Sequence, residues 1–213
     1  MHEDTRRGDH GIAQPQACIL RQHAPVERIV ESFQGHQRVA LQRHDGDARA
    51  GRRVELVRHP VRKDRTDGEM AADEALHRGA GELVLAGALG ALDHTLGHLA
   101  ILRRLAARGV AARLAAPRLT VRVFAAPDEV QLDAPAGTRV SIVPLQGDAL
   151  VTLGGFDYAL DRGVLPQDAC LGLGNAVVAA ARILVHEGSV AVLVEDGGEA
   201  FGGVRRGARV AAP

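Results

Sequence analysis

This chain of 213 residues has few aromatic residues, few cysteines and no net charge. Aromatics make up 2% of it, so Ala, Leu and Val must fill any hydrophobic core. Two cysteines, Cys18 and Cys170, are too few for a disulfide scaffold and are typical of a reducing compartment. With 26 basic and 26 acidic residues, the net charge of zero gives no general attraction to nucleic acid or to an anionic membrane.

Long hydrophobic runs are also missing. The most apolar stretch, residues 83–92, is far shorter than the roughly 20 residues that a transmembrane helix needs. No apolar stretch of the signal-peptide type follows Met1. Since 46% of the residues are hydrophobic and 24% are charged, we expect a soluble, cytoplasmic globular protein.

Residues 1–52 form an atypical N-terminal segment. Their apolar pieces are short and show no sustained period of 2 or 3.6 residues, which predicts little independent folding. Residues 1–66 hold 13 basic and 9 acidic side chains, a balance of +4 that the rest of the chain offsets. We therefore expect the 1–52 segment to be poorly ordered.

Residues 53–116 predict an α/β domain with a parallel sheet. A capping box, Thr66 with Glu69, opens the first helix, and Asp93 is the expected N-cap of the second, which ends near Gly109. Strands, helices and short loops alternate, which favours parallel pairing. The predicted strands are Val54–Val57, Glu82–Ala86 and Val110–Leu114.

Residues 117–200 predict a small antiparallel β-sandwich or barrel. Short alternating strands are separated by Pro, Gly and Asp turns, with one ambiguous helical segment, Ala176–Ala181. Residues 201–213 are expected to be a loose basic tail. The predicted strands are 120–124, 130–132, 139–143, 149–153, 181–185 and 190–194.

Three segments could carry chemistry, and each has a plain structural alternative. Lys63, Asp64 and Asp67 precede and open a helix, where an anion is favoured and two carboxylates suit Mg²⁺ with a polyphosphate. The alternative is a capped helix behind a solvated charge cluster. The Gly174–Asn175 amide could bind a heterocycle or could serve its own turn.

The segment between the second strand and the second helix, Gly87–Thr95, could let the backbone approach a ligand closely. A tight turn is the alternative. His94 and His98 are four residues apart on one helix face, as in some zinc sites, but no third ligand is evident.

Together these motifs resemble the thiamine pyrophosphokinase family over about residues 53–196. Such a member is expected to have an ATP-binding α/β domain followed by a thiamine-binding β-sandwich and to act as a homodimer. It transfers pyrophosphate from ATP to thiamine, with Mg²⁺, and gives thiamine diphosphate and AMP. The matching segments are Lys-Asp-Arg-Thr-Asp-Gly-Glu (63–69), the strand and loop 82–90, Leu-Asp-His-Thr-Leu (92–96), Val-Ser-Ile-Val-Pro-Leu (140–145), Leu-Gly-Gly (153–155), Tyr-Ala-Leu-Asp (158–161) and Gly-Leu-Gly-Asn (172–175).

The resemblance also implies roles for individual residues. Asp64, Asp67 and Asp93 would be catalytic, with Asp64 and Asp67 near the metal. Thiamine would contact Gly174 and Asn175. The implied ATP-binding residues are Lys63, Thr66, Gly87, Gly90, His94 and Thr95.

Several positions depart from the family pattern. Gly90-Ala91-Leu92 lacks the arginine that the family carries before its Asp-His pair, and Gly174 stands where the family has serine. The family's Ala-Asp-Gly-Gly loop and Gly-Asp-Phe-Asp-Ser metal motif have no counterpart in residues 1–52. We hypothesise a frameshift or a misassigned start there, with genuine divergence as the alternative. The other reading frames of the coding DNA would decide between them.

Three functions follow as hypotheses from these observations. The first is a thiamine pyrophosphokinase. The second is a thiamine- or nucleotide-binding homodimer that lacks the N-terminal metal motif and is catalytically impaired. The third, less favoured, is a metal-dependent phosphohydrolase built on Asp64, Asp67 and His94, which would release inorganic phosphate rather than AMP.

Overall fold

The computed structural model describes residues 39–43, 53–57, 64–195 and 204–206. Lys63, most of the 1–52 segment and most of the 201–213 tail lie outside these ranges. The described elements are β1 (Val39–Arg43), β2 (Arg53–Val57), α1 (Asp67–His77), β3 (Glu82–Ala86), α2 (Leu92–Ala107), β4 (Ala111–Ala116), β5 (Leu119–Ala125), β6 (Asp128–Leu132), β7 (Arg139–Pro144), β8 (Ala149–Phe156), β9 (Leu160–Leu165), β10 (Asn175–Glu187), β11 (Ser189–Glu195) and β12 (Val204–Arg206).

Helix α1 begins at the predicted capping box. The backbone N–H of Glu69 donates to Thr66 Oγ1 (3.2 Å), and the Glu69 carboxylate accepts from the backbone N–H of Thr66 (2.9 Å). Two N-terminal donors are thereby satisfied, so the helix starts at a defined residue. Its buried face consists of small residues, which lets neighbouring elements approach closely: Gly68, Ala71, Ala72 and Ala75.

Helix α2 begins two residues before the predicted position. Its N-cap is Ala91, which makes no side-chain cap, so the prediction of Asp93 as N-cap is wrong. Asp93 lies in the first turn, where its carboxylate accepts from the backbone N–H of His94 (2.8 Å) and complements the helix dipole. Among the described residues, no helix is long and apolar enough to cross a bilayer.

Ten strands form one mixed sheet, so the chain is α/β. Of the described pairs, β3 with β4 is parallel and the others are antiparallel, so the expected parallel layer is confined to the unit β3–α2–β4. Strand β2 exists as predicted but pairs antiparallel with β1 in a separate two-stranded sheet. The sheet order is β12-β6-β10-β7-β11-β5-β4-β3, with β8 on β10 and β9 on β8.

Three segments of the C-terminal part differ from the prediction. Residues 176–181, ambiguous in the sequence, belong to strand β10, where Val177 pairs with Phe156. Strand β9 has no counterpart among the predicted strands, because Gly163 interrupts the alternation of apolar and polar residues. Next to it, Arg162 has a positive φ (47°). In the tail expected to be loose, β12 pairs with β6. The six predicted strands are all present.

Two buried clusters lie within residues 71–194. The first lies between the two helices and β3–β5 and is built mainly from Ala and Leu, as the scarcity of aromatics predicts. The second gathers side chains from β5 to β11, including Phe124 and Phe156. Strand β4 pairs directly with β5, so the sheet continues across residues 116–117, where the sequence predicts a domain boundary. The division into domains stays a prediction.

Candidate functional site

The start of α1 and the loop from β3 to α2 meet at His98 of α2. The Nδ1 atom of His98 lies 3.0 Å from the carbonyl oxygen of Ala88 in that loop. On its other side the ring faces α1, since a Cβ atom placed on Gly68 would lie 3.3 Å from His98 Nε2 and 3.2 Å from Ile101 Cδ1. The packing thus places the two sequence-predicted phosphate segments next to each other.

At the start of α1, the predicted residues differ in what they already contact. The Thr66 hydroxyl is engaged with Glu69 (3.0 Å), so it serves the capping box. Asp64 is exposed and Asp67 is half-buried in the first helical turn. The backbone N–H groups of a first helical turn favour an anion, which is consistent with the predicted phosphate role.

Beside α1, the loop carries the predicted residues Gly87, Gly90, His94 and Thr95. Gly87 has a φ of +69°, a conformation that favours glycine and turns the chain out of β3. Gly90, Asp93 and His94 are exposed. The Thr95 hydroxyl donates to the carbonyl oxygen of Ala91 (3.2 Å), so it already has a protein partner at the start of α2.

Three arginines around α1 form ion pairs with one carboxylate, that of Asp73. It forms ion pairs with Arg65, Arg104 (3.2 Å) and Arg108 (3.8 Å), which ties the start of α1 to α2. The hydrogen bond to Asp73 raises the pKa of Arg65. Consequently the arginine between Asp64 and Asp67 is directed along the helix and toward Asp73.

Two further pKa shifts follow from local contacts. The hydrogen bond from the Thr66 backbone lowers the pKa of Glu69. Burial lowers the pKa of His98, which keeps its imidazole neutral near pH 7, and the nearby His94 adds to this. Glu69 is therefore a fixed negative charge, and His98 an uncharged hydrogen-bonding group.

A closed metal site is not formed by the described residues, in which no three His, Cys, Asp or Glu side chains gather together. The predicted zinc pair therefore gains no third ligand there, and His98 Nδ1 is engaged with Ala88. Asp64 and Asp67 are instead compatible with a Mg²⁺ site to which the protein contributes few ligands. Mg²⁺ is commonly held by one or two carboxylates while substrate phosphates and water complete its coordination.

The thiamine half of the predicted site consists of Gly174 and Asn175, and it lies at the start of β10. The other half is the predicted phosphate segments around α1 and the β3–α2 loop. The Asn175 side chain is 3% exposed; its Oδ1 accepts from the backbone N–H of Tyr158 (3.0 Å) and its Nδ2 donates to the Tyr158 carbonyl oxygen (2.9 Å). These bonds hold the turn before β9. The prediction that Asn175 contacts thiamine stays a prediction, because its described contacts are with protein.

Beside it, Gly174 adjoins an open groove of about 480 Å³. Its N–H donates to Ser141 Oγ (3.0 Å), and a Cβ atom on it would lie 3.5 Å from Arg139 Nη2. Arg139 and Ser141 both line the groove, with Thr138, Arg118 and Glu195. Arg139 and Glu195 are 3.7 Å apart, so the groove presents charges of both signs together with hydroxyl groups.

The strand register puts the two halves of the site at the same end of the sheet. Ala86, which precedes the Gly87 loop, and Asn175 belong to one row of paired residues. The row crosses five strand-to-strand steps, which span roughly 24 Å at the usual strand spacing. Successive partners in the row are Ala86, Ala115, Thr120, Val194, Val140 and Asn175.

Among the residues that shape this arrangement, the sequence motifs indicate no role for Gly68, Arg65 or Asp73, and they indicate His98 solely as a possible zinc ligand. A signal was available for His98. It stands four and seven residues before Leu102 and Leu105, on the buried face of α2. A histidine on such a face commonly finds a hydrogen-bond partner in the core.

Comparison with known proteins finds similarity in structure. No protein-family model matches the sequence, and no curated protein is similar to it. The thiamine pyrophosphokinase of Bacillus subtilis is 23% identical, with a TM-score of 0.58 over 63% of this chain and 65% of that one. A thiamine pyrophosphokinase family protein from Enterococcus faecalis is 25% identical, with a TM-score of 0.57 over 66% and 68%.

A third similar structure, the thiamine pyrophosphokinase of Geobacillus thermodenitrificans, is 24% identical, with a TM-score of 0.55 over 67% of this chain and 66% of that one. The chain therefore shares its fold with these proteins and spans about two thirds of their length. The resemblance that the sequence motifs indicate is supported by these structural neighbours.

Proposed function

We propose that this chain is a thiamine pyrophosphokinase, a transferase that moves the pyrophosphoryl group of ATP to the hydroxyl group of thiamine. The observation that carries the proposal is the meeting of the α1 start and the β3–α2 loop at His98 in a chain with this fold. These are the segments whose sequence motifs resemble the ATP side of the family. The proposal includes a cytoplasmic location and an ATP-binding α/β domain followed by a thiamine-binding β-sandwich.

In this proposal, transfer depends on positioning and on charge neutralisation, since phosphoryl transfer needs little covalent chemistry from the protein. The starts of α1 and α2 attract the phosphates through the positive ends of their helix dipoles. Asp64 and Asp67 would hold Mg²⁺, which would supply charge neutralisation at the phosphate oxygens. Asp93 and His94, both exposed at the start of α2, orient the phosphate chain or the thiamine hydroxyl.

A homodimer completes the site in this proposal. Roughly 24 Å of sheet separates the Gly87 loop from Asn175 in one chain, so a second copy is needed to bring the two halves together. Large apolar side chains lie exposed near both halves, which favours an interface there. Leu92 (73% exposed) and Leu96 (58%) lie on α2, while Tyr158 (69%), Leu171 (68%) and Leu173 (53%) lie around Gly174.

A second candidate is a thiamine- or nucleotide-binding homodimer with impaired catalysis. It is favoured by the contacts of Asn175, whose amide is engaged with Tyr158, and by Gly174, which offers no hydroxyl group. It is also favoured because residues 1–52 carry no counterpart of the family's metal motif. Such a protein would bind its ligands without turnover.

The experiment is a product assay with Mg²⁺, ATP and thiamine that resolves AMP, thiamine diphosphate and inorganic phosphate. A thiamine pyrophosphokinase forms AMP and thiamine diphosphate in equal amounts. Replacing Asp67 with Asn should lower kcat/KM by about a hundredfold or more, as loss of a charge-positioning group does. The matched control is Asp168→Asn, an exposed carboxylate in the β9–β10 connection, which should leave the rate unchanged.

Each other outcome identifies a different function. Binding of ATP and thiamine by calorimetry with no product favours the impaired binding protein. Release of inorganic phosphate without AMP favours a metal-dependent phosphohydrolase. Equal loss of activity in Asp67→Asn and Asp168→Asn would contradict the role given to Asp67.

A further inference from the structure

One side chain, His98, contacts both segments of the predicted nucleotide site. Its Nδ1 atom lies 3.0 Å from the Ala88 carbonyl oxygen, and its Nε2 edge faces the backbone of α1 at Gly68. Ala88 is 2% exposed and Gly68 is buried, so both contacts are inside the protein. The ring therefore sets the spacing between the β3–α2 loop and the start of α1.

The carbonyl partner determines the tautomer of His98. A carbonyl oxygen only accepts, so Nδ1 must carry the proton and donate it. Burial lowers the pKa of His98, so the ring is neutral near pH 7 and Nε2 carries no hydrogen. This edge is then free of a hydrogen atom where it packs against Gly68, which permits the close approach of α1.

The loop depends on this bond because it has few other side-chain anchors. Helix α2 lacks a side-chain N-cap at Ala91, and Gly87 and Gly90 contribute no side chain. Within the described residues, the Thr95 hydroxyl also approaches the Ala88 carbonyl oxygen, but at 3.5 Å. The bond from His98 is thus the shorter of the two side-chain hydrogen bonds that the described residues make to this carbonyl oxygen.

We propose that His98 is a positioning residue that fixes the β3–α2 loop against α1 and thereby sets the affinity for nucleotide. The effect on nucleotide rests on the function proposed above, whereas the effect on the loop does not. His98 acts through the backbone of the loop and does not need to touch the substrate. It is therefore expected to influence ATP and not thiamine.

The test uses two amides that imitate different edges of the ring. In His98→Asn the amide nitrogen can take the place of Nδ1 and donate to Ala88, whereas in His98→Gln it extends toward the place of Nε2 and Gly68. We expect His98→Gln to raise the KM for ATP roughly tenfold, the effect of about one hydrogen bond, with the KM for thiamine unchanged. We expect His98→Asn to stay within about twofold of the parent chain. His77→Asn, at the exposed end of α1, is the control.

Two readouts are independent of turnover. Nitrogen NMR of the full chain labelled in histidine should show His98 as the neutral Nδ1–H tautomer, the less common form in water. Amide hydrogen exchange in residues 87–91 should quicken in His98→Gln and stay near the parent rate in His98→Asn.

These results separate the two proposals. Absence of AMP and of nucleotide binding in the parent chain would refute the proposed function, while the tautomer and the exchange rates would still decide the role of His98. An Nε2–H tautomer, or the same loop exchange in Asn and Gln variants, would overturn the positioning role. So would an equal change in the KM values for ATP and thiamine.

Discussion

Replacing Gly68 with alanine tests the contact between α1 and α2 on which the geometry of the site depends. The new methyl carbon would lie 3.2 Å from Ile101 Cδ1 and 3.3 Å from His98 Nε2, which is tighter than ordinary van der Waals contact. The Ile101 methyl group can move aside at little cost. The His98 ring cannot rotate away without losing its bond to Ala88.

Gly97→Ala is the matched control, because Gly97 is also helical but a Cβ atom placed there would meet nothing within 4 Å. Alanine in an exposed helix raises the free energy of unfolding by about 1 kcal/mol relative to glycine. At Gly68 the same gain is opposed by overpacking, which destabilises by about 1–3 kcal/mol. We therefore expect Gly97→Ala to stabilise the chain and Gly68→Ala to destabilise it, with the two about 2 kcal/mol apart.

The assay is urea unfolding of both variants beside the parent chain, with the thermal midpoint as a second measure. For a chain of this size, about 1 kcal/mol shifts the midpoint by roughly 2–4 °C, so the two variants should differ by about 4–8 °C. A double-mutant cycle with His98→Ala identifies the cause. If the ring opposes the methyl group, Gly68→Ala becomes much less destabilising once the ring is removed.

Equal stabilisation by Gly68→Ala and Gly97→Ala would refute this reasoning. It would mean that α1 and α2 are not packed closely at His98, and the proposed positioning role would lose its geometric basis. An unchanged penalty in the His98→Ala background would instead assign the overpacking to Ile101.

Two further predictions concern stability. Because the pKa of Glu69 is lowered in the folded chain, its contribution is present above its ordinary value of 4.5 and is lost as the pH falls through the lowered value. Urea unfolding across this acidic range should show a smaller loss of stability in Glu69→Gln than in the parent chain, and identical slopes would contradict the role of the capping box. Asn175→Ala leaves the backbone groups of Tyr158 without their partners, which should lower the free energy of unfolding by about 1–3 kcal/mol; an unchanged value would show that the turn does not need the amide.

The sequence alone predicts the elements whose causes are local. The capping box is recognisable because Thr66 and Glu69 are three residues apart, and the helix begins where it predicts. The six predicted strands of the C-terminal half are present because alternating residues and turn residues act over short stretches of chain. The absence of strong local signals also explains two differences. Asp93 lies in the first turn of α2, two residues after the N-cap Ala91, and the pattern of β9 is interrupted at Arg162 and Gly163.

Tertiary structure alone decides which segments become neighbours. Nothing in residues 53–57 indicates that β2 pairs with β1 rather than joining the parallel strands. The alanine-rich segment 176–181 is compatible with a helix until its pairing with β8 is known. The row of paired residues that joins Ala86 to Asn175 cannot be predicted from the sequence either, because strand order depends on contacts between distant segments.

The candidate site illustrates this division. Its motifs can be read from the sequence, since Asp64, Asp67 and the Gly87 loop stand at the ends of local elements. The histidine that joins them cannot, because its role depends on a carbonyl group ten residues away and on a glycine in another helix. Local composition determines which helices and strands form, whereas packing between distant segments determines which side chains share a site.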